Sequence, residues 1–175
     1  MRRIRIAMMM LGVPMLASCA SNNSAPPPCP QVAKLTEASY LTRFAGPGND
    51  LTDAVYEAKV DGFTSRCFYT NQDDKQAVRT ELKIQFSASR APKFVGENPK
   101  FQYFVAITGP NQKPLAREVF DVDVDLSGDK VHNISVDEIE PVVPLGANEN
   151  GDFYRIYVGF ILTEKELAYN RKHPQ

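Results

Sequence analysis

The sequence predicts a mainly β protein: an Ig-like antiparallel β-sandwich of about seven strands, with a short C-terminal helix and a disordered N-terminal tether. Apolar and polar residues alternate with a period of two along successive segments, and turn-forming residues separate these segments. The 175 residues suit one domain, and two domains would be cramped. Several short strands with this period are typical of a sandwich.

The predicted strands follow one another from residue 54 to residue 162. They cover residues 54–63, 77–89, 101–108, 115–126, 131–139 and 153–162, with a polar loop over 71–76. Residues 32–44 form either a short helix or an irregular segment over the core. Thr163 and Glu166 have the spacing of a capping box, which predicts the start of a short helix over residues 167–171.

The first eighteen residues have the organisation of a secretory signal peptide. Arg2, Arg3 and Arg5 form a positive segment, and residues 6–16 form an apolar run too short to span a bilayer. The Arg2-Arg3 pair also suggests twin-arginine export, but the surrounding residues match that motif poorly. We therefore expect residues 1–18 to be removed as an ordinary signal peptide.

The end of this segment, Leu16-Ala17-Ser18-Cys19, resembles the lipobox of bacterial lipoproteins. The resemblance implies that Cys19 becomes the first mature residue and carries acyl chains such as palmitate on its thiol and its amine. The alternative is a chance cysteine near the cleavage site of an ordinary signal peptide. Ala20, where an inner-membrane lipoprotein has Asp, implies by analogy an outer-membrane location facing the periplasm.

Residues 19–28 form the predicted tether between the lipid and a domain over 29–175. Their Ser, Asn, Ala and Pro side chains have little to bury, and the nine residues after Cys19 span at most about 30 Å. We therefore expect the domain to stay close to the membrane.

Four segments resemble those of small envelope lipoproteins of alphaproteobacteria. They are residues 103–107, 117–122, 158–163 and 167–171. The resemblance extends over most of the mature chain and implies a place in the cell envelope. It implies no activity and no site residue.

Cys29 and Cys67 are the two cysteines that remain when Cys19 is lipidated. In an exported domain, two cysteines most simply form a structural disulfide, and this one would close a loop of about forty residues. A redox or metal role is the alternative, but it needs a CxxC pair or histidines nearby, and the sequence has neither.

Charge and motifs exclude several classes of protein. After residue 18 the chain has 17 basic and 21 acidic side chains, a net charge of −4, so we expect no nucleic-acid partner. The sequence has no HExxH, GxSxG or phosphate-binding glycine motif, and its only histidines are His132 and His173. We expect no enzymatic activity, no metal, and no cofactor besides the lipid on Cys19. A hydrolase with a carboxylate pair stays open, because such pairs leave no sequence signature.

Acidic residues mark two candidate surfaces. Asp121, Asp123 and Asp125 alternate along one predicted strand, so their carboxylates would lie on one face about 7 Å apart. They form either a solvated face or a surface for cations or a basic partner. Residues 148–152 combine oxygen ligands with a glycine but lack the order of a calcium loop, so a polar turn is the simpler interpretation.

Phe104, Phe153 and Tyr157 fall on the opposite strand face from their aromatic neighbours. Either the terminal segments cover this face, or an apolar patch is open to a partner.

These observations together predict a lipid-anchored periplasmic interaction or scaffold module that is not an enzyme. The candidate partner surfaces are the 115–126 strand, with Asp121, Asp123 and Asp125, and the face carrying Phe153 and Tyr157. The alternative is a protein that binds a small ligand or a divalent cation through the acidic strand or the 148–152 loop.

Overall fold

A computed structural model describes residues 26–72 and 75–174. The predicted signal peptide, Cys19 and the tether up to residue 25 lie outside the described residues. Numbered in chain order, the strands are β1 (Gln31–Lys34), β2 (Tyr40–Phe44), β3 (Ala54–Gln72), β4 (Lys75–Arg90), β5 (Lys100–Thr108), β6 (Pro114–Asp123), β7 (His132–Ile139), β8 (Val142–Pro144) and β9 (Arg155–Phe160). One α-helix, α1 (Glu164–Lys172), follows them.

The strands form two sheets that pack face to face, which confirms the predicted β-sandwich. Sheet A has the order β1-β9-β5-β6, and sheet B has the order β2-β3-β4-β7, with β8 also paired to β4. All pairs are antiparallel except β1 with β9, which is parallel. Residues 32–44, for which the sequence predicted a short helix or an irregular segment, instead belong to β1 and β2 with a 3-10 turn (Thr36–Ala38) between them, because they pair with β9 and β3.

The core lies between the two sheets and takes alternate residues from each strand. Phe86 contacts Tyr103 and Phe160 at ring-centroid distances of 4.8 and 5.9 Å, so the aromatic rings of the two sheets meet at the centre. Other large, fully buried side chains are Leu41, Leu82, Ile84, Leu126, Ile156, Val60, Val78, Val124 and Val143. Burial of these side chains is the main source of stability for the sandwich.

Strand β3 is almost twice as long as the predicted strand, and a β-bulge within it interrupts the sequence period on which the prediction rested. Its register with β4 shifts between Val60 and Gly62, so Asp61 has no partner of its own. An extra residue reverses the alternation of faces, and the sequence period therefore breaks at this point. Beyond the bulge, β3 and β4 continue as a long hairpin up to the pair Gln72–Lys75.

Strand β7 turns its apolar side chains to solvent. Ser135 and Asp137 are paired with the inward-facing Phe86 and Ile84, whereas Ile134 and Val136 are exposed. The inward polar side chain of Asp137 has a partner across the sandwich, since the Tyr103 hydroxyl donates a 2.8 Å hydrogen bond to it. Burial and this hydrogen bond raise the pKa of Tyr103.

The C-terminal helix begins with the predicted capping box. The Thr163 hydroxyl accepts the backbone N–H of Glu166, and the Glu166 carboxylate accepts the backbone N–H of Thr163. On the far side of the helix, the Asn170 amide donates to the carbonyl oxygens of Glu37 and Tyr40. The helix therefore closes the side of the sandwich next to β2. No described helix is both long and apolar enough to cross a membrane.

The predicted disulfide is present between Cys29 and Cys67, with their Cα atoms 5.7 Å apart. It joins the start of the domain to the long β3–β4 hairpin. A bridge that closes a loop of this length stabilises the folded state by about 3–4 kcal/mol in the chain-entropy model.

Candidate functional site

The clearest candidate surface is the free edge of sheet A at β6, within the strand that the sequence singled out. Strand β6 pairs only with β5 in the described chain. The β5–β6 hydrogen bonds use alternate residues, and the bond from the Val124 N–H to the Pro99 carbonyl oxygen indicates that these are the even-numbered residues of β6. The backbone N–H and C=O groups of Arg117, Val119 and Asp121 therefore point into the open edge.

Besides Arg117, Asp121 and Asp123, the outer face of β6 carries two exposed apolar side chains. Leu115 is 47% exposed and Val119 is 48% exposed. Between them, the Arg117 guanidinium lies 4.7 Å from the centroid of the Phe104 ring and forms no salt bridge with a described residue. Edge strands are usually protected by charged side chains or by a covering element. Strand β6 has the charges, but no described strand pairs with its outer edge, so its backbone groups remain free for pairing.

The inner side of β6 borders a cleft between the two sheets. The cleft has a volume of about 450 Å³ and opens at the side of the sandwich where β6 faces β7 and β8. Its apolar lining comes from Val105, Ile107, Phe120, Ile139, Pro141 and Val142, and the exposed Glu118 and Glu140 lie at its rim. The sandwich is therefore incompletely filled along this edge. The sequence gives no sign of the cleft, because its residues come from four strands.

The three aspartates do not form the predicted row. Asp121 and Asp123 lie on the outer face of β6, where the Gln102 amide donates to Asp121 at 2.9 Å. The strand ends at Asp123, and Asp125 follows in a turn, where its carboxylate accepts from Lys130 and from the Ser127 N–H. These hydrogen bonds hold the pKa of Asp125 well below its usual range.

The 148–152 loop is a turn in which the side-chain oxygens of Glu149 and Asn150 accept internal hydrogen bonds. The Glu149 carboxylate accepts the Tyr154 hydroxyl at 2.5 Å and the Gly146 N–H at 2.8 Å. The Asn150 side chain caps a 3-10 turn (Gly151–Phe153) by accepting the Asp152 N–H. Among residues 26–72 and 75–174, no three metal-ligating side chains lie close enough to hold an ion.

The aromatic face is covered in part by the terminal segments. Phe104 is buried, and it shares an apolar groove of about 440 Å³ with Leu35 and Ala38 from the N-terminal segment and with Leu167 from α1. Tyr157 is half-buried between β1 and β5, where it is paired with Ala33 and Ala106. Phe153 is 48% exposed at the end of its 3-10 turn. The structure therefore does not join Phe153 and Tyr157 into one open patch.

No protein-family model, no curated protein and no solved structure matches the chain.

Proposed function

We propose that this protein is a lipid-anchored, non-enzymatic interaction module of the cell envelope, and that its β6 edge accepts an extended segment of a partner protein as an added strand. The single observation that carries this proposal is the apolar cleft directly beneath an unpaired edge. An added strand satisfies the free N–H and C=O groups of β6, and its alternate side chains enter the cleft.

The chemistry of the edge specifies the partner segment. Side chains on its inner face are apolar, because they meet Phe120, Ile139 and Val142. On its outer face, an acidic residue lies beside Arg117, and a basic residue lies beside Asp121 and Asp123. The segment therefore alternates apolar residues with charged residues.

The anchor limits where such a partner is met. The disulfide at Cys29 fixes the start of the domain, and the proposed lipid on Cys19 lies at most about 30 Å of chain away. We infer that the partner segment belongs to a protein in, or close to, the same membrane.

The anchor is tested by metabolic labelling with a palmitate analogue in cells that express the full-length chain or its Cys19→Ser variant. We expect label and membrane association for the native chain and neither for the variant. Label that persists in the variant would contradict lipidation at Cys19.

The edge is tested by cross-linked purification of a tagged full-length chain from detergent-solubilised envelopes. Val119→Pro removes one outward N–H while the β5 hydrogen bonds of the neighbouring residues remain, and Val119→Ala keeps the N–H. We expect a stoichiometric partner with the native chain and the alanine variant, and none with the proline variant. A partner that binds all three equally does not use the edge and would refute strand addition.

A further inference from the structure

Strand β6 itself has the features that its edge requires of a partner segment. On the outer face, the edge needs an acidic residue beside Arg117 and a basic residue beside Asp121, and β6 carries one residue of each charge at these positions. On the inner face, Ala116, Phe120 and Val122 are apolar, as the cleft requires. A second copy of β6 therefore fits the edge as an added strand.

The free backbone groups of β6 fit the same arrangement. In an antiparallel pair, residues that exchange hydrogen bonds lie directly opposite each other, so outward-pointing residues must face outward-pointing residues. Those of β6 are Arg117, Val119 and Asp121. A register centred on Val119 sets Val119 opposite its own copy, and it sets Arg117 and Asp121 each opposite the other residue of the second copy. All three residues then form hydrogen-bonded pairs.

The charges of the outer face favour this register over its neighbours. Arg117 forms no salt bridge with a described residue, and in this register it faces an Asp121 carboxylate on each side of the two-fold axis. A register centred one residue earlier or later sets Val119 opposite Arg117 or opposite Asp121, so an apolar side chain faces a charge. Opposite charges across a strand pair stabilise the pair, and like charges destabilise it.

A second copy also suits an anchored protein. Most soluble oligomers contain identical chains, and a two-fold axis that relates two copies of one edge makes the paired strands antiparallel. With the proposed lipid on Cys19, both copies lie in one membrane, where their effective concentration is raised. Phe120 of the second copy lies opposite Glu118, which places this apolar residue at the mouth of the cleft.

We propose that two copies of this chain dimerise by antiparallel pairing of their β6 strands about Val119. This inference rests on the proposed strand addition at β6 and names the partner as a second copy of the chain. The two four-stranded A sheets then join into one continuous sheet.

The test uses two differently tagged full-length chains that are co-expressed and co-purified from detergent-solubilised envelopes. Arg117→Asp in both chains puts like charges opposite each other, and so does Asp121→Arg in both chains, so we expect each to lower recovery of the second tag about tenfold. Arg117→Asp in one chain and Asp121→Arg in the other puts opposite charges across both pairs, so recovery should return to that of the native chains. Both side chains are exposed, and all variants keep the same anchor.

Val119→Cys gives a second measurement, which locates the two-fold axis. Residues of a hydrogen-bonded antiparallel pair have Cα atoms about 5.5 Å apart, within the range of a disulfide. We expect oxidation to cross-link this variant into a dimer on a non-reducing gel. Leu115→Cys is the matched control, since Leu115 is as exposed as Val119 but lies opposite Asp123 of the second copy, and this variant should stay uncross-linked.

Self-pairing is overturned if the two native chains do not co-purify, if the charge variants change nothing, if the mixed pair does not recover, or if cysteine at 115 cross-links as readily as at 119. A different protein that binds the native chain but not Val119→Pro, without a second copy, would overturn self-pairing and leave strand addition intact. Neither a second copy nor another protein at the edge would overturn both proposals.

Discussion

The Tyr69 hydroxyl donates a 2.7 Å hydrogen bond to the carbonyl oxygen of Pro28, at the point where the chain enters the sandwich. The same hydroxyl oxygen accepts the Gly151 N–H at 2.8 Å. Cys67, two residues before Tyr69, forms the disulfide with Cys29. The hydrogen bonds and the disulfide thus hold the end of the tether against β3 and against the turn that precedes β9.

Tyr69→Phe should lower the free energy of unfolding by about 2 kcal/mol. The substitution removes two hydrogen bonds and leaves the Gly151 N–H without its partner. Urea denaturation at pH 7 measures the loss. Tyr157→Phe is the control, since the half-buried Tyr157 hydroxyl bonds to no described residue, and its variant should differ from the native chain by less than about 0.5 kcal/mol. Equal effects of the two substitutions would contradict the role of Tyr69.

Replacing Cys29 and Cys67 together by serine should lower the free energy of unfolding by about 3–4 kcal/mol, because the unfolded chain regains the entropy of the open loop. Unfolding in urea without reductant compares the double variant with the native chain. Adding reductant should destabilise the native chain and leave the double variant unchanged. A native chain that is insensitive to reductant would argue against the bridge.

Gly151→Ala should destabilise the protein by about 2 kcal/mol or more. A Cβ atom there overlaps the Pro28 carbonyl oxygen and comes within 2.8 Å of the Cys29 carbonyl carbon, and backbone atoms cannot move aside cheaply. Gly62→Ala is the matched control because its Cβ would meet open space, so its melting temperature should stay close to that of the native chain. Thermal unfolding of both variants tests this close approach. Tolerance of alanine at 151 would mean that the entry segment is not packed against this turn.

Tyr103→Phe should change how stability depends on alkaline pH. Burial and the bond to Asp137 raise the pKa of Tyr103 in the folded state, so above pH 10 the phenol ionises more readily in the unfolded chain. The stability contributed by Tyr103 is therefore present below about pH 10 and is lost as pH rises beyond it. We expect the variant to have a lower free energy of unfolding than the native chain at pH 7. The difference between the two should narrow above pH 10, as measured by urea unfolding from pH 7 to pH 11. A difference in unfolding free energy that stays constant from pH 7 to pH 11 would contradict the raised pKa of Tyr103.

Alternation and local motifs predicted those parts of the fold that depend on neighbouring residues. Strands β4, β5 and β9 and the capped helix lie close to their predicted positions. The alternation that marks the buried face of a strand, and the capping box that starts the helix, are both patterns of neighbouring residues. The length of β3 was not predictable, since the bulge at Asp61 interrupts its period. The parallel pairing of β1 with β9 joins segments more than 120 residues apart and leaves no local signal.

Of the candidate site, only the strand that carries it could be predicted from the sequence. The 115–126 segment was identified from its alternating aspartates, yet the features that favour docking are the free backbone edge, Arg117 over Phe104 and the cleft beneath Phe120. Each of these depends on which strands become neighbours.

The most direct test of the central claim is site-specific photo-cross-linking in living cells that express the full-length chain. The photoreactive residue replaces Glu118 at the rim of the cleft. In the control it replaces Ile134, which is exposed on the outer face of β7, away from the β6 edge. We predict one dominant adduct from position 118, mapped to a partner segment with alternating apolar residues, which disappears when Val119→Pro is added. No adduct from position 118, or the same adduct from position 134, would contradict the account of β6 as the docking edge.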